Sequence, residues 1–174
     1  MTEIPERFTF FTSSKLHQRW REGQLAEEWS AAYPAIFDED DLRIARNQAH
    51  LGYHYHEWLS AILLYHTQGL LSLVGKYTFR SHEVKRRLVE RLCDARTAQF
   101  LFGRGKESLV QCPDLLVYQP NLTDWFFCEV KGPRDHLRPK QQELFNQVEH
   151  VTGKKIYIVK LHETDSRRGP NEVR

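Results

Sequence analysis

The chain has 174 residues, 40% of them hydrophobic and 28% charged, with a formal charge of +2. That length suits one domain with a real core, and so small a charge means that any nucleic-acid site must be a local patch. No apolar run reaches the ~20 residues of a membrane span, and Cys93, Cys112 and Cys128 form no CxxC pair, which argues against membrane, disulfide and zinc-framework classes. The opening "MTEIPERFTFF" lacks a signal peptide's basic start and apolar middle, so the expected location is cytoplasmic.

In chain order, "SSKLHQRWREGQLAEEWSAAY" (13–33) reads as one helix carrying Leu16, Trp20, Leu25 and Trp29. "DEDD" at 38–41 opens a second helical stretch that runs, with a break at Gly52, to Gly69. Four consecutive acidic residues invite a metal reading, but acidic residues also favour a helix N-terminus, and that is the expectation here. Within "YHYHEWLSAILLYHTQG", Ala61 to Tyr65 are apolar on every side of a helix, which predicts a buried one. Glu57 shares a stripe with Ala61 and Leu64, so it needs a partner unless it caps the helix or reaches solvent at its end. His56-Glu57 would begin a zinc-protease HExxH pattern, but Ser60 stands where the second histidine belongs.

"SHEVKRRLVERLCDARTAQFLF" reads as the next helix, capped by Ser81, with Val84, Leu88, Leu92 and Ala95 as its apolar stripe. Lys85, Arg86, Arg87, Arg91 and Arg96 form the densest basic cluster of the chain. Such clusters are mostly solvated faces, although Lys85 to Arg91 could also contact DNA. "GRGKES" (103–108) reads as a turn broken by Gly103 and Gly105.

Leu115–Tyr118 and Trp125–Val130 are short aromatic-rich runs joined by "QPNLTD", a hairpin signal. Alternation puts Trp125, Phe127, Glu129 and Lys131 on one face and Phe126, Cys128 and Val130 on the other. Asp114, at the near end of the partner strand, could reach the same region. Two carboxylates converging at strand ends are costly unless a cation lies between them, and oxygen ligands suit Mg2+ or Mn2+. Lys131 beside them could orient or deprotonate an attacking water and offset charge on a phosphate. A plain Glu–Lys pair on a sheet surface is the alternative.

After "GPRD", the segment "HLRPKQQELFNQVEHVTG" reads as a helix with Leu137, Gln141, Leu144, Val148 and Val151 on its inner stripe. Gln141 therefore needs a hydrogen-bonding task, whereas Gln142 lies about 100° away and is exposed. "KKIYIVKL" is then a strand parallel to the first through a crossover helix. The expected core is a mixed sheet with flanking helices.

Pro113-Asp114, 14 intervening residues and Glu129-Val130-Lys131 together resemble the PD-(D/E)XK nuclease signature. The extension "EVKGPRDHLRPKQ" is more specific and resembles the VRR-NUC branch, which includes small stand-alone phage and bacterial nucleases. The similarity spans residues 53 to 161 and is strongest over 112–160. It implies a restriction-endonuclease-like core at 51–162; residues 1–50 match nothing in that family and read as an N-terminal helical extension, and 163–174 read as a polar, disordered tail.

The resemblance further implies that Asp114, Glu129 and the Val130 carbonyl ligate Mg2+ or Mn2+, with Glu57 completing the site. Lys131 would be the catalytic lysine, and Gln141 would lie near the scissile phosphate or its water. The implied function is a metal-dependent endonuclease acting on branched or flapped DNA, with homodimer formation left open. The alternative is a nucleic-acid- or partner-binding module that keeps the fold with little activity alone. A DNA-facing patch would combine Lys85, Arg86, Arg87 and Arg91 with Arg134, Arg138 and Lys140.

Overall fold

The computed structural model describes residues 7–75, 77–79, 81–103 and 112–164. Thirteen of the elements follow in order as β1 (Arg7–Thr12), α1 (Ser14–Arg21), α2 (Gln24–Ala32), α3 (Glu39–Gln48), a 3-10 turn (Ala49–Leu51), α4 (Tyr55–Gln68), β2 (Leu71–Val74), α5 (Glu83–Leu92), α6 (Ala95–Leu101), β3 (Leu115–Tyr118), β4 (Trp125–Lys131), α7 (Pro139–Thr152) and β5 (Ile156–Glu163). One mixed five-stranded sheet, in the order β1-β5-β4-β3-β2, carries them. β5 runs parallel to both β1 and β4, and β3 is antiparallel to β4 and β2.

Both faces of the sheet are covered. Phe126, Cys128 and Val130 pack with Phe8, Trp20, Trp29, Ala45, Trp58 and Leu64, which places α1, α2, α3 and α4 on one side. Trp125 and Phe127 pack with Val89, Ala98, Leu101 and Val148, which places α5, α6 and α7 on the other. Every residue of the central strand β4 is consequently buried, Glu129 and Lys131 included. Among the described residues, no helix is long and apolar enough to cross a membrane.

Five expectations need correction. The first is the N-terminal region, which is not a separate helical extension. Arg7–Thr12 is an edge strand paired with β5, and Phe8 joins the same core as β4. The second is the helix over 13–33, which breaks at Gly23, where φ of 79° suits a residue without Cβ, so that α1 and α2 fold back and bring Trp20 against Trp29, ring centroids 5.4 Å apart. The third is the helix over 81–102, which also breaks: Cys93 is extended and Asp94 caps α6 through the Thr97 N–H at 2.8 Å.

The α5 phase is shifted by one residue as well. Val84 is 60% exposed while Lys85 and Val89 are buried, and His82 replaces Ser81 at the N-cap without a side-chain bond. Finally, α7 begins at Pro139 rather than residue 136, and Phe145 joins Val148 as its buried pair. The turn expected at 103–108 lies, apart from Gly103, outside the described residues, and so does the tail from residue 165.

Lys85 is the most consequential of these differences. Its ammonium donates to Asp41 Oδ1 at 2.6 Å and to the Val74 carbonyl at 2.7 Å, so it ties α5 to α3 across the β2 edge. It is 1% exposed, and a phosphate cannot reach it. Lys85 therefore leaves the set of DNA-facing residues. Burial raises the Asp41 carboxyl, and Lys85 opposes that rise. Removing one partner of such a pair typically costs about 3–5 kcal/mol. Lys85→Ala should thus lower the unfolding midpoint strongly in thermal denaturation, while a wild-type midpoint would mean that Asp41 finds another partner.

Candidate active site at the end of the central strand

The hairpin register pairs Leu115 with Cys128, so one step further Asp114 stands opposite Glu129. Asp114 is held there by three bonds. Its Oδ2 accepts the Val130 N–H at 2.8 Å, its carbonyl accepts the Gly75 N–H at 3.0 Å, and the Tyr77 hydroxyl donates to the preceding Pro113 carbonyl at 2.6 Å. Glu129 and Lys131 occupy the same face of β4. Lys131 Nζ donates to Glu129 Oε1 at 2.7 Å.

The first turn of α7 closes the group. Gln141 Nε2 donates to Glu129 Oε1 at 3.0 Å, and its Oε1 accepts from Lys131 Nζ at 3.2 Å and from the Arg138 N–H at 3.3 Å. The side-chain amide so meets both members of a buried ion pair, which is the task that its place on the inner stripe demanded. Gln142 is exposed and bonds Asn146 on its own helix. Gln141→Leu should lower stability, since two buried charged groups each lose a bond worth ~1–3 kcal/mol. Gln142→Leu should not, as melting curves of the two variants would establish.

Glu57 lies in the first turn of α4, partly buried, with Oε1 3.4 Å from His54 Nδ1. Burial pushes its carboxyl up, but the hydrogen bond and charge of His54 outweigh that, and the net direction is down. Asp114 moves the other way. Burial first, then the charges of Glu129 and Glu57, push its carboxyl up to about 8 against the pull of the Val130 N–H and Lys131. Three carboxylates thus share one electrostatic neighbourhood that contains Lys131.

Their oxygens do not all lie within 4.8 Å of one another. Oxygen ligands on opposite sides of an octahedral Mg2+ stand ~4.2 Å apart, and water commonly fills several positions, so an ion here would need water ligands or side-chain movement to complete its set. A hard divalent cation suits the donor chemistry, because every candidate ligand is an oxygen and the surplus charge is negative.

Two supports of the site were not legible as such. Gly132 follows Lys131, and a Cβ there would come 2.8 Å from His56 Cε1 and 2.9 Å from Asp135 Oδ2. His56 is thereby packed against the end of β4, one residue before Glu57. Gly132→Ala should displace that imidazole ring without unfolding the sheet, readable as shifted His56 ring resonances in NMR with a near-native circular dichroism spectrum. Lys160 on β5 donates to the carbonyls of Gly132, Pro133 and Asp135 at 2.8, 3.2 and 2.8 Å, which pins the loop after β4. Sequence offers a faint signal for it: a lysine inside an apolar strand, one crossover away from Lys131.

That loop borders a cleft of about 310 Å³, lined among others by His17, His56, Gly132 and Arg134. Arg134, Arg138 and Lys140 are exposed on the same segment, and Arg91 is exposed on α5. Arg86 and Arg87 are spent on surface ion pairs with Glu90 and Glu83. The seven expected DNA contacts therefore separate into one buried lysine, two paired arginines and four exposed cations.

No family model matches this chain, and neither a curated protein nor a solved structure matches it significantly.

Proposed function

We propose that the chain is a metal-dependent nuclease that hydrolyses DNA phosphodiester bonds at the end of β4. The observation that supports this most is the meeting of Asp114, Glu129, Lys131 and Gln141, with Asp114 forced up to about 8 by burial and its carboxylate neighbours. A site with surplus buried negative charge is stabilised by a divalent cation, and the sequence resemblance to VRR-NUC nucleases points to the same set. Asp114, Glu129 and the Val130 carbonyl would hold Mg2+ or Mn2+, with Glu57 beside them. When bound, such an ion supplies charge neutralisation at the phosphate and activation of a water.

The chain's own groups do the rest. Lys131 places a cation where negative charge grows on the phosphate oxygens and can orient the attacking water. Gln141 positions Glu129 and Lys131 relative to one another. Arg134, Arg138 and Lys140 offer exposed charge to the flanking phosphates, a contact whose strength falls with salt.

The test is a panel of labelled linear, flapped and four-way DNA substrates with Mg2+ or Mn2+, using wild type and Glu129→Gln. Cleavage by wild type alone is expected. Salt-dependent binding of both proteins without cleavage would instead favour the nucleic-acid-binding module. Absence of both binding and cleavage would overturn the proposal.

A further inference from the structure

The acidic run at 38–41 does start α3, but only part of its oxygen is used for that. Asp38 Oδ1 accepts the Asp41 N–H at 2.8 Å, and Asp41 Oδ2 accepts the Asp38 N–H at 3.3 Å. Asp41 Oδ1 is taken by Lys85, and Asp40 Oδ1 accepts from Arg43 at 2.9 Å. Asp38 Oδ2 and Asp40 Oδ2 are left and both turn toward one ring, while Asp41 Oδ2, with a single long bond, keeps a second lone pair. His82 Nε2 stands 3.8 Å from the first and 3.9 Å from the second, beyond hydrogen-bond distance.

His82 is 6% exposed, and neither of its ring nitrogens has a hydrogen-bond partner. A buried imidazole with both nitrogens unpaired is a costly group that calls for an explanation. As N-cap of α5 it could have bonded the helix's free N–H groups, but its ring does not do so. One ligand atom from each of Asp38, Asp41 and His82 lies within 4.8 Å of the others. Locally three carboxylates face two cations, Lys85 and Arg43, so a surplus of negative charge remains. A cleft of about 320 Å³ lined by Asp40, Arg43, Phe79 and His82 gives access from solvent.

We infer that Asp38, Asp41 and His82 form a second divalent-metal site, joining the N-terminus of α3 to that of α5, with Asp40 or water as a further ligand. The imidazole sets the class of ion. Nitrogen with carboxylates suits zinc and its transition-metal neighbours, whereas Mg2+ prefers oxygen alone. Tetrahedral zinc with bonds of ~2.0 Å needs ligand atoms ~3.3 Å apart, so the side chains must draw in slightly. Bound there, the ion links a helix of one sheet face to a helix of the other, beside the Lys85–Asp41 pair that already does so. This site is separate from the β4 site and does not depend on how that one is read.

The experiment uses the untagged full chain carrying Asp114→Asn, which disables the β4 site, and titrates it calorimetrically with Zn2+ and with Mg2+. One equivalent of Zn2+ should bind at least tenfold more tightly than Mg2+. It should raise the unfolding midpoint by roughly 5 °C or more at a hundredfold excess over its Kd. Asp38→Asn and His82→Ala should each weaken Zn2+ binding at least tenfold. Asn caps a helix as well as Asp does, so Asp38→Asn removes a ligand without removing the start of α3. It also carries the test should His82→Ala fail to fold. Absence of Zn2+ binding, or the same stoichiometry and affinity in Asp38→Asn, would overturn the assignment.

Discussion

Asp114→Asn is expected to abolish cleavage and, in metal-free buffer at high pH, to make the protein more stable than wild type. The folded state holds the Asp114 proton up to about pH 8, whereas the unfolded chain releases it near 3.8. Between those values the folded state binds more protons, so wild-type stability falls as pH rises through that window. Below it, both states are protonated and the effect vanishes. Asparagine cannot ionise, yet its carbonyl can still accept the Val130 N–H that Asp114 Oδ2 accepts now.

At about pH 9 with chelator present, the variant should gain on the order of 2–4 kcal/mol, discounted for the partial exposure of Asp114. For a chain of this size that is roughly 5–10 °C in midpoint. At pH 4 the two melting curves should coincide. Mg2+ should narrow the gap at pH 9 by stabilising wild type alone, because linkage rewards only the protein that binds the ion. Equal midpoints at all pH values would show that Asp114 carries no such strain, and would remove the main support for the metal reading.

Lys131→Ala should act in the opposite direction on stability and in the same direction on activity. Lys131 is 8% exposed, and its Nζ is the only side-chain cation bonded to Glu129 among the described residues. Truncation leaves a carboxylate in the middle of a sheet buried on both faces, a loss of about 3–5 kcal/mol. Turnover should fall by ~10² or more, the scale of a lost electrostatic or acid–base group. Mg2+ separates the two consequences. The ion can return positive charge beside Glu129 and recover part of the midpoint, but it cannot replace an ammonium aimed at the phosphate. If Mg2+ restored turnover along with stability, Lys131 would be a structural counter-ion and not a catalytic group.

The β3–β4 hairpin, the α4 and α7 helices and β5 were legible in sequence because each is governed by neighbours close in the chain. Alternation along "WFFCEVK" set which residues share a face, and it placed Glu129 with Lys131 as the structure has them. The step pattern of α7 likewise separated Gln141 from Gln142. For Asp114, the hairpin register was sufficient: antiparallel pairing puts the residue before β3 beside the one that follows Cys128.

Other features depended on partners far away in the chain. β1 became a strand only because β5 supplies its hydrogen bonds, about 150 residues later, and four-residue β2 has too few positions to display a period. Lys85 looked like one more surface cation, since nothing within its helix reveals that Asp41, 44 residues earlier, waits under it. The pairing of His82 with the acidic run was hidden for the same reason. Periodicity records which way a side chain points from its own element. Which charge it meets there is decided by how the helices of the two sheet faces come together at the β2 edge, and only the tertiary structure contains that.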